Sequence, residues 1–124
     1  MMKYRAVLLL SILAVSRLAA GPGVTAGKFT VEPPTLICLG FEWRISGDDN
    51  RNATVDVRFR KVGETAWRQG LPLLRIGGER VFNPAVYLDY TVPGGFAGSI
   101  LDLEPDTEYE CRLEMRDPDG VSGE

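Results

Sequence analysis

An all-β, antiparallel sandwich is the fold class this sequence predicts, on three observations. Apolar and polar residues alternate in several runs of about six to eight residues. Clusters of Gly, Pro, Asp and Asn separate the runs, and no stretch carries the three-to-four-residue apolar period of a helix. Period two sends successive side chains to opposite faces, so runs with one polar face are half-buried strands. The connections are too short for crossover helices, which makes the pairing antiparallel.

Taken in order, "GPGVTAG" (Gly21–Gly27) reads as a linker, and "KFTVEPP" (Lys28–Pro34) as a short edge strand halted by Pro33 and Pro34, which cannot donate to a ladder. In "LGFEWRIS", Leu39, Phe41, Trp43 and Ile45 share one face. "GDDNRN" (Gly47–Asn52) is a polar turn, after which Val55, Val57 and Phe59 face inward. Gly63 and Glu64 turn the chain toward Trp67. From Gly70 to Gly95 the signal weakens, with short strands expected near Leu73–Ile76 and Val86–Tyr90. Phe96, Gly98 and Ile100 restart the alternation. The firmest strand follows, with Tyr109, Cys111, Leu113 and Met115 inward against Glu108, Glu110, Arg112, Glu114 and Arg116.

The 124 residues, 44% hydrophobic and 25% charged, make room for one domain of ordinary globular composition. Lys3 and Arg5 precede an apolar run from Ala6 to Val15, the layout of a secretory signal peptide and too short for a bilayer core needing about 20 residues. The expected organisation is a leader and linker start over residues 1–26, cut between Ala20 and Ala26, then a domain over 27–124; an uncleaved anchor is the alternative. The expected destination is secreted, periplasmic or cell-surface. Loss of the leader removes Lys3, Arg5 and Arg17 and no acid, moving the formal charge from -3 to -6. Nucleic-acid binding rests on Lys and Arg neutralising phosphates, so that partner class is set aside.

Leu103-Glu104-Pro105-Asp106-Thr107-Glu108-Tyr109 resembles the L-x-P-x-T-x-Y signature of fibronectin type III domains, members of the immunoglobulin-like sandwich superfamily. The resemblance implies that Leu103 fills the core beneath a corner, that Pro105 sets its turn, that Thr107 belongs to the same motif, and that the Tyr109 hydroxyl bonds back to upstream backbone. It also implies a buried Trp43. Tyr109-Glu110-Cys111 is similar to the Tyr-x-Cys of immunoglobulin domains, which would pair Cys111 with Cys38. Cys38 has the opposite parity to Trp43, however, so a disulfide and two buried thiols both stand open. If formed, a bond closing 73 residues would stabilise by about 4 kcal/mol. "PPTLICLGFEW" and the run from Gly47 to Trp67 resemble the N-terminal module of secreted bacterial proteins whose larger part is a pectate-lyase-like parallel β-helix.

The resemblance calls for a last strand beside the one starting at Tyr109, after a hairpin at Asp117-Pro118-Asp119-Gly120. Only Val121 to Glu124 follow, so the sheet is expected to lack that strand, with a short pairing stub as the alternative.

No catalytic, cofactor or metal residues are expected. The chain has no histidine, which removes Ser-His-Asp and Cys-His arrangements. Asp48-Asp49-Asn50 lacks the alternating spacing of a calcium loop and reads as a turn. Asn52-Ala53-Thr54 fits a glycosylation sequon. Arg58, Arg60, Lys61 and Arg68 could meet an anionic polymer, and Trp67 could stack on a sugar; a solvated strand face and a core tryptophan are the plainer readings. Two functions are expected from this: a non-catalytic spacer or docking module within a larger, polysaccharide-active exported protein, or a self-contained adhesion or ligand-binding protein completed by a partner's strand. The partners would be domains of the same longer chain, a strand-donating protein or a glycan, with no membrane span after leader cleavage.

Overall fold

The computed structural model describes residues 22–123, so the leader expected at the N-terminus lies outside the described residues. The strands are β1 (Val24–Val31), β2 (Leu39–Gly47), β3 (Thr54–Lys61), β4 (Arg68–Gln69), β5 (Leu74–Ile76), β6 (Arg80–Asn83), β7 (Leu88–Thr91), β8 (Gly95–Ile100), β9 (Tyr109–Arg116) and β10 (Val121–Gly123). A 3-10 turn, Pro84–Val86, is the sole helical element among them. One sheet has the order β10-β1-β2-β8-β5, the second β4-β3-β9, and β6 and β7 form a separate hairpin. Apart from β1 with β10, these pairs are antiparallel.

The two larger sheets make a β-sandwich, because their inward rows meet in one core. Val24, Phe41, Phe96 and Ile100 come from the first sheet, Val55, Val57 and Met115 from the second, with Leu103 beneath the loop between β8 and β9. Phe41, Val55, Val57, Phe96, Ile100 and Met115 follow the alternation predicted from sequence. A fully buried Val or Phe side chain stabilises by roughly 1.5–3 kcal/mol, which is why the parity of β2, β3, β8 and β9 is firmly fixed.

Three expectations need correction. The supposed linker from Gly21 is strand from Val24 onward, and Gly23 packs so closely that a Cβ there would lie 2.2 Å from the Gly120 carbonyl oxygen. The weak segment holds a hairpin: β6 adds a strand outside the two expected there, and Val86 sits in the 3-10 turn rather than in a strand. The turn at Asp117–Gly120 forms as expected, with Gly120 at φ +108 and its N–H donating to the Asp117 carbonyl at 3.0 Å. The strand after it does not return along β9. It crosses to the other sheet and pairs in parallel with β1, Val24 facing Val121 and Ala26 facing Gly123.

One end of the sandwich is fastened by carboxylates. Asp48, fully buried at the crossing from β2 to β3, accepts the N–H groups of Asn52 and Ala53 at 3.0 and 3.3 Å and pairs with Arg75 of β5. Asp117 accepts the Val24 N–H at 2.8 Å, and Asp119 accepts the side-chain amides of Asn50 and Asn52. Burial pulls the Asp48 carboxyl upward, but the Arg75 guanidinium and the two N–H donors outweigh it, so its pKa lies below the ordinary value of 3.8. A carboxyl depressed on folding contributes stability above its unfolded pKa, and that contribution is lost as pH falls through the folded value. Asp48→Ala should therefore cost about 3 kcal/mol at neutral pH, since it leaves two backbone N–H groups and a half-buried guanidinium without their acceptor. Urea melts should show wild type losing stability as pH drops below 3.8, with a shallower loss in the variant; equal slopes would show that the carboxylate carries no such role.

Candidate functional site

The candidate site is the free long edge of β9 and the cleft beside it. β9 pairs with β3 along its whole length, Tyr109 opposite Lys61 through Arg116 opposite Thr54, and no strand among the described residues lies on its other side. The direction of its main-chain groups follows from β3. The carbonyls of Val55 and Val57 accept the N–H groups of Leu73 and Gly70, on the side away from β9. The alternate residues of β3 therefore serve β9, and by the register so do Glu110, Arg112, Glu114 and Arg116. The N–H and C=O groups of Tyr109, Cys111, Leu113 and Met115 point outward from the edge.

Beside that edge, Phe29 of β1, Trp43 of β2 and Cys111 and Leu113 of β9 line an open cleft of about 280 Å³ between the sheets. Phe29 stands edge-on to Trp43 at 5.3 Å and is 41% exposed. Trp43, Cys111 and Leu113 are only half-buried although they face the core. The Trp43 indole Nε1 is buried without a hydrogen-bond partner, an uncommon state for a polar group in a folded chain. Burial pushes the Cys111 thiol above its usual pKa, so it stays protonated at neutral pH and is a weak nucleophile.

The outer row of β9 alternates Glu110, Arg112, Glu114, Arg116. Glu110 is paired with Arg60, and Arg116 is shared between Glu114 at 3.0 Å and Asp56 at 3.4 Å. Arg112 lies opposite Arg58, and neither has an acid within salt-bridge distance among the described residues.

The other residues singled out from sequence fall elsewhere. Leu103 is buried, the Glu104 N–H donates to the Tyr109 hydroxyl at 3.0 Å, and the Thr107 hydroxyl donates to the Pro105 carbonyl at 3.0 Å. This corner lines a second cavity of about 320 Å³ together with Cys38. Cys38 and Cys111 are both free thiols and line different cavities. Trp67 is covered by Arg60 at 4.4 Å and Arg112 at 5.5 Å from its ring centre, which occupies the faces a sugar would stack on. Arg60, Lys61 and Arg68 are paired with Glu110, Glu104 and Glu64, so the basic row is largely neutralised. Among the described residues no group of three metal-ligating side chains gathers, and no helix is long and apolar enough to cross a membrane.

Sequence reasoning did not anticipate the β6–β7 hairpin as a contact surface. Arg80 and Asp89 join its base through two bonds of 2.8 Å. Val81, Phe82, Val86 and Leu88 are exposed along it, and Tyr87 at its tip is 98% exposed. The run Val81–Leu88 carries no charge, the one signal that could have marked it.

Comparison with known proteins found no matching family, curated relative or solved structure. The site therefore has to be read from its own chemistry. Native-state hydrogen exchange should show a two-residue alternation along β9, with the amides of Cys111 and Leu113 exchanging at least tenfold faster than those of Arg112 and Glu114. Uniform protection would mean that the edge is already covered.

Proposed function

We propose that the chain is a non-catalytic docking or spacer module of an exported protein, of the fibronectin type III kind, whose second sheet is completed by one more β-strand. The observation that carries this reading is the outward-facing main chain of Cys111 and Leu113 beside an apolar cleft. Unpaired strand edges are templates for strand addition, and pairing there gives main-chain hydrogen bonds together with side-chain burial. The strand order supports the family. β1-β2-β8-β5 facing β4-β3-β9 matches the A-B-E-D and C′-C-F order of immunoglobulin-like sandwiches, and the Tyr109 corner, two residues before Cys111, is a hallmark of them.

In the simplest form the completing strand belongs to the same, longer chain. β10 leaves the turn after β9 in the direction such a strand would take, parallel to β1 and antiparallel to β9. The larger protein would hold the chemistry, on polysaccharide, and this module would place it. Extending the full chain past Glu124 by an eight-residue Val/Thr-rich strand should then raise the melting temperature by about 5 °C or more, the size expected for one or more kcal/mol in a domain this small. An unchanged melting temperature would count against strand completion.

Export is part of the same reading, and the fold limits where a leader can be cut. Val24 is fully buried and its N–H is held by Asp117, so processing as far as Ala26 would strip the paired start of β1. Intact mass of the exported protein should place its first residue between Gly21 and Val24; a start at Gly27 would refute this.

The hairpin tip favours a second reading, a self-contained adhesion or ligand-binding protein. Phe82, Tyr87 and Leu88 offer the exposed aromatic and aliphatic surface that binding hot spots use. If so, replacing those three by Ser would abolish adhesion while leaving the melting temperature unchanged.

A further inference from the structure

The β6–β7 hairpin belongs to neither sheet of the sandwich, and every residue of both strands is exposed. Its ladder runs from Arg80 opposite Thr91 to Asn83 opposite Leu88. At its base the Gly78 N–H donates to the Val92 carbonyl and the Val92 N–H to the Glu79 carbonyl, both at 2.8 Å. A two-stranded ribbon with no core beneath it is only marginally stable in water. Its apolar side chains therefore add little to the free molecule.

Alternation sends those side chains to opposite faces. Val81, Leu88 and Tyr90 share one face by register, while Phe82 lies on the other, with the Arg80 guanidinium 5.0 Å from its ring centre. Val86 and Tyr87 form the tip. Tyr87 closes the turn at φ 55 and ψ 33, a left-handed backbone that disfavours a bulky side chain and that glycine or asparagine adopts at less cost. Its ring is 98% exposed, so no contact among the described residues offsets that strain.

Three features bear on what covers such a tip. Apolar groups occupy both faces and the end, so a protein groove or a second hairpin laid along one edge would cover only part of them. A fluid apolar phase surrounds them all. The turn also carries little bare backbone with it, and in lipid each unpaired N–H is costly. Pro84 has no N–H, the Ala85 N–H goes to the Asn83 side-chain oxygen at 3.1 Å, and the Tyr87 N–H goes to the Pro84 carbonyl at 3.3 Å. Charge begins only at the base, where Arg80 and Asp89 neutralise each other through two bonds of 2.8 Å.

We infer that the β6–β7 hairpin is a membrane-surface anchor, whose tip enters the interfacial layer of a lipid bilayer while the Arg80–Asp89 pair stays among the headgroups. Penetration is shallow, roughly 5–10 Å, a depth at which a tyrosine ring is buried and its hydroxyl stays hydrated. Apolar insertion drives it rather than charge, since anionic lipids attract basic segments and this chain carries a net charge of -3. The inference rests on the adhesion reading of the hairpin and gives it a specific surface; it is independent of strand addition at β9.

The test uses the exported protein after leader removal, because the apolar run from Ala6 to Val15 would itself bind lipid. The variant Tyr87→Trp reads the tip locally. With phosphatidylcholine vesicles, the introduced indole should shift its emission to the blue and be quenched by lipids brominated along their acyl chains. Added phosphatidylglycerol should not tighten binding, and raised salt should not release the protein. Val86→Ser combined with Leu88→Ser should weaken partitioning about tenfold or more, from the apolar area removed. Leu36→Ser, at a more exposed leucine outside the hairpin, should leave it unchanged. All four positions are exposed, so each variant should keep the wild-type melting temperature. An indole that stays in water with both lipids, binding that needs phosphatidylglycerol and is lost in salt, or an equal loss from Leu36→Ser would each overturn the membrane assignment. Burial of the indole without lipid, as protein concentration rises, would overturn it in favour of self-association. Adhesion that depends on the hairpin without any vesicle binding would refute the lipid surface and spare the adhesion reading.

Discussion

The meeting of two alternating sheets at a single core depends on the crossing between them, and that crossing is held by the Asp48 carboxylate. β2 belongs to one sheet and β3 to the other, and the chain changes sheets at Gly47–Asn52. A backbone that leaves one sheet there exposes N–H groups with no strand partner, and burial makes each of them costly. Asp48 takes two of them, and its charge is balanced by Arg75 from the far strand of the first sheet. Asp117 and Asp119 then tie β1 and the turn after β9 to the same end. An acidic chain thus uses several of its acids as structural acceptors.

The opposite situation holds along β9. There the apolar face is formed and the register is complete on one side, but Cys111, Leu113 and Trp43 remain half-covered and, among the described residues, the main chain of alternate positions has no ladder. β10 does not relieve this, because all three of its residues are engaged with β1. The fold is well determined at the carboxylate end and under-covered at the β1–β9 side. That asymmetry is the feature on which the proposed strand-accepting role rests.

How much of this was legible in the sequence divides along physical lines. β2, β3, β8 and β9 were legible because one buried face enforces strict alternation; Phe41, Val55, Val57, Phe96 and Met115 are buried as their parity required. The start of β1 was not, because Gly23, which serves close backbone packing against Gly120, looks the same as a linker glycine. The β6–β7 hairpin was obscured because all its residues are exposed, so no burial pattern was imprinted on them. For the site, Trp43, Cys111 and the inward face of β9 were identified, but the cleft they share needs Phe29, whose place depends on a register shift in β1 between Ala26 and Phe29. Asp48 read as an ordinary turn residue because its partner, Arg75, lies 27 positions away. Long-range pairing of charges leaves no local mark.

The central claim is geometric: a β-strand belongs beside β9, antiparallel to it and beneath Phe29. NMR spectroscopy of the chain carrying an added strand tests it most directly, because short Hα–Hα contacts occur at the non-hydrogen-bonded pairs of an antiparallel ladder. The account predicts such contacts from the added strand to Arg112 and Glu114. Contacts instead to the β6–β7 hairpin or to the β4 edge, or none at all, would contradict it.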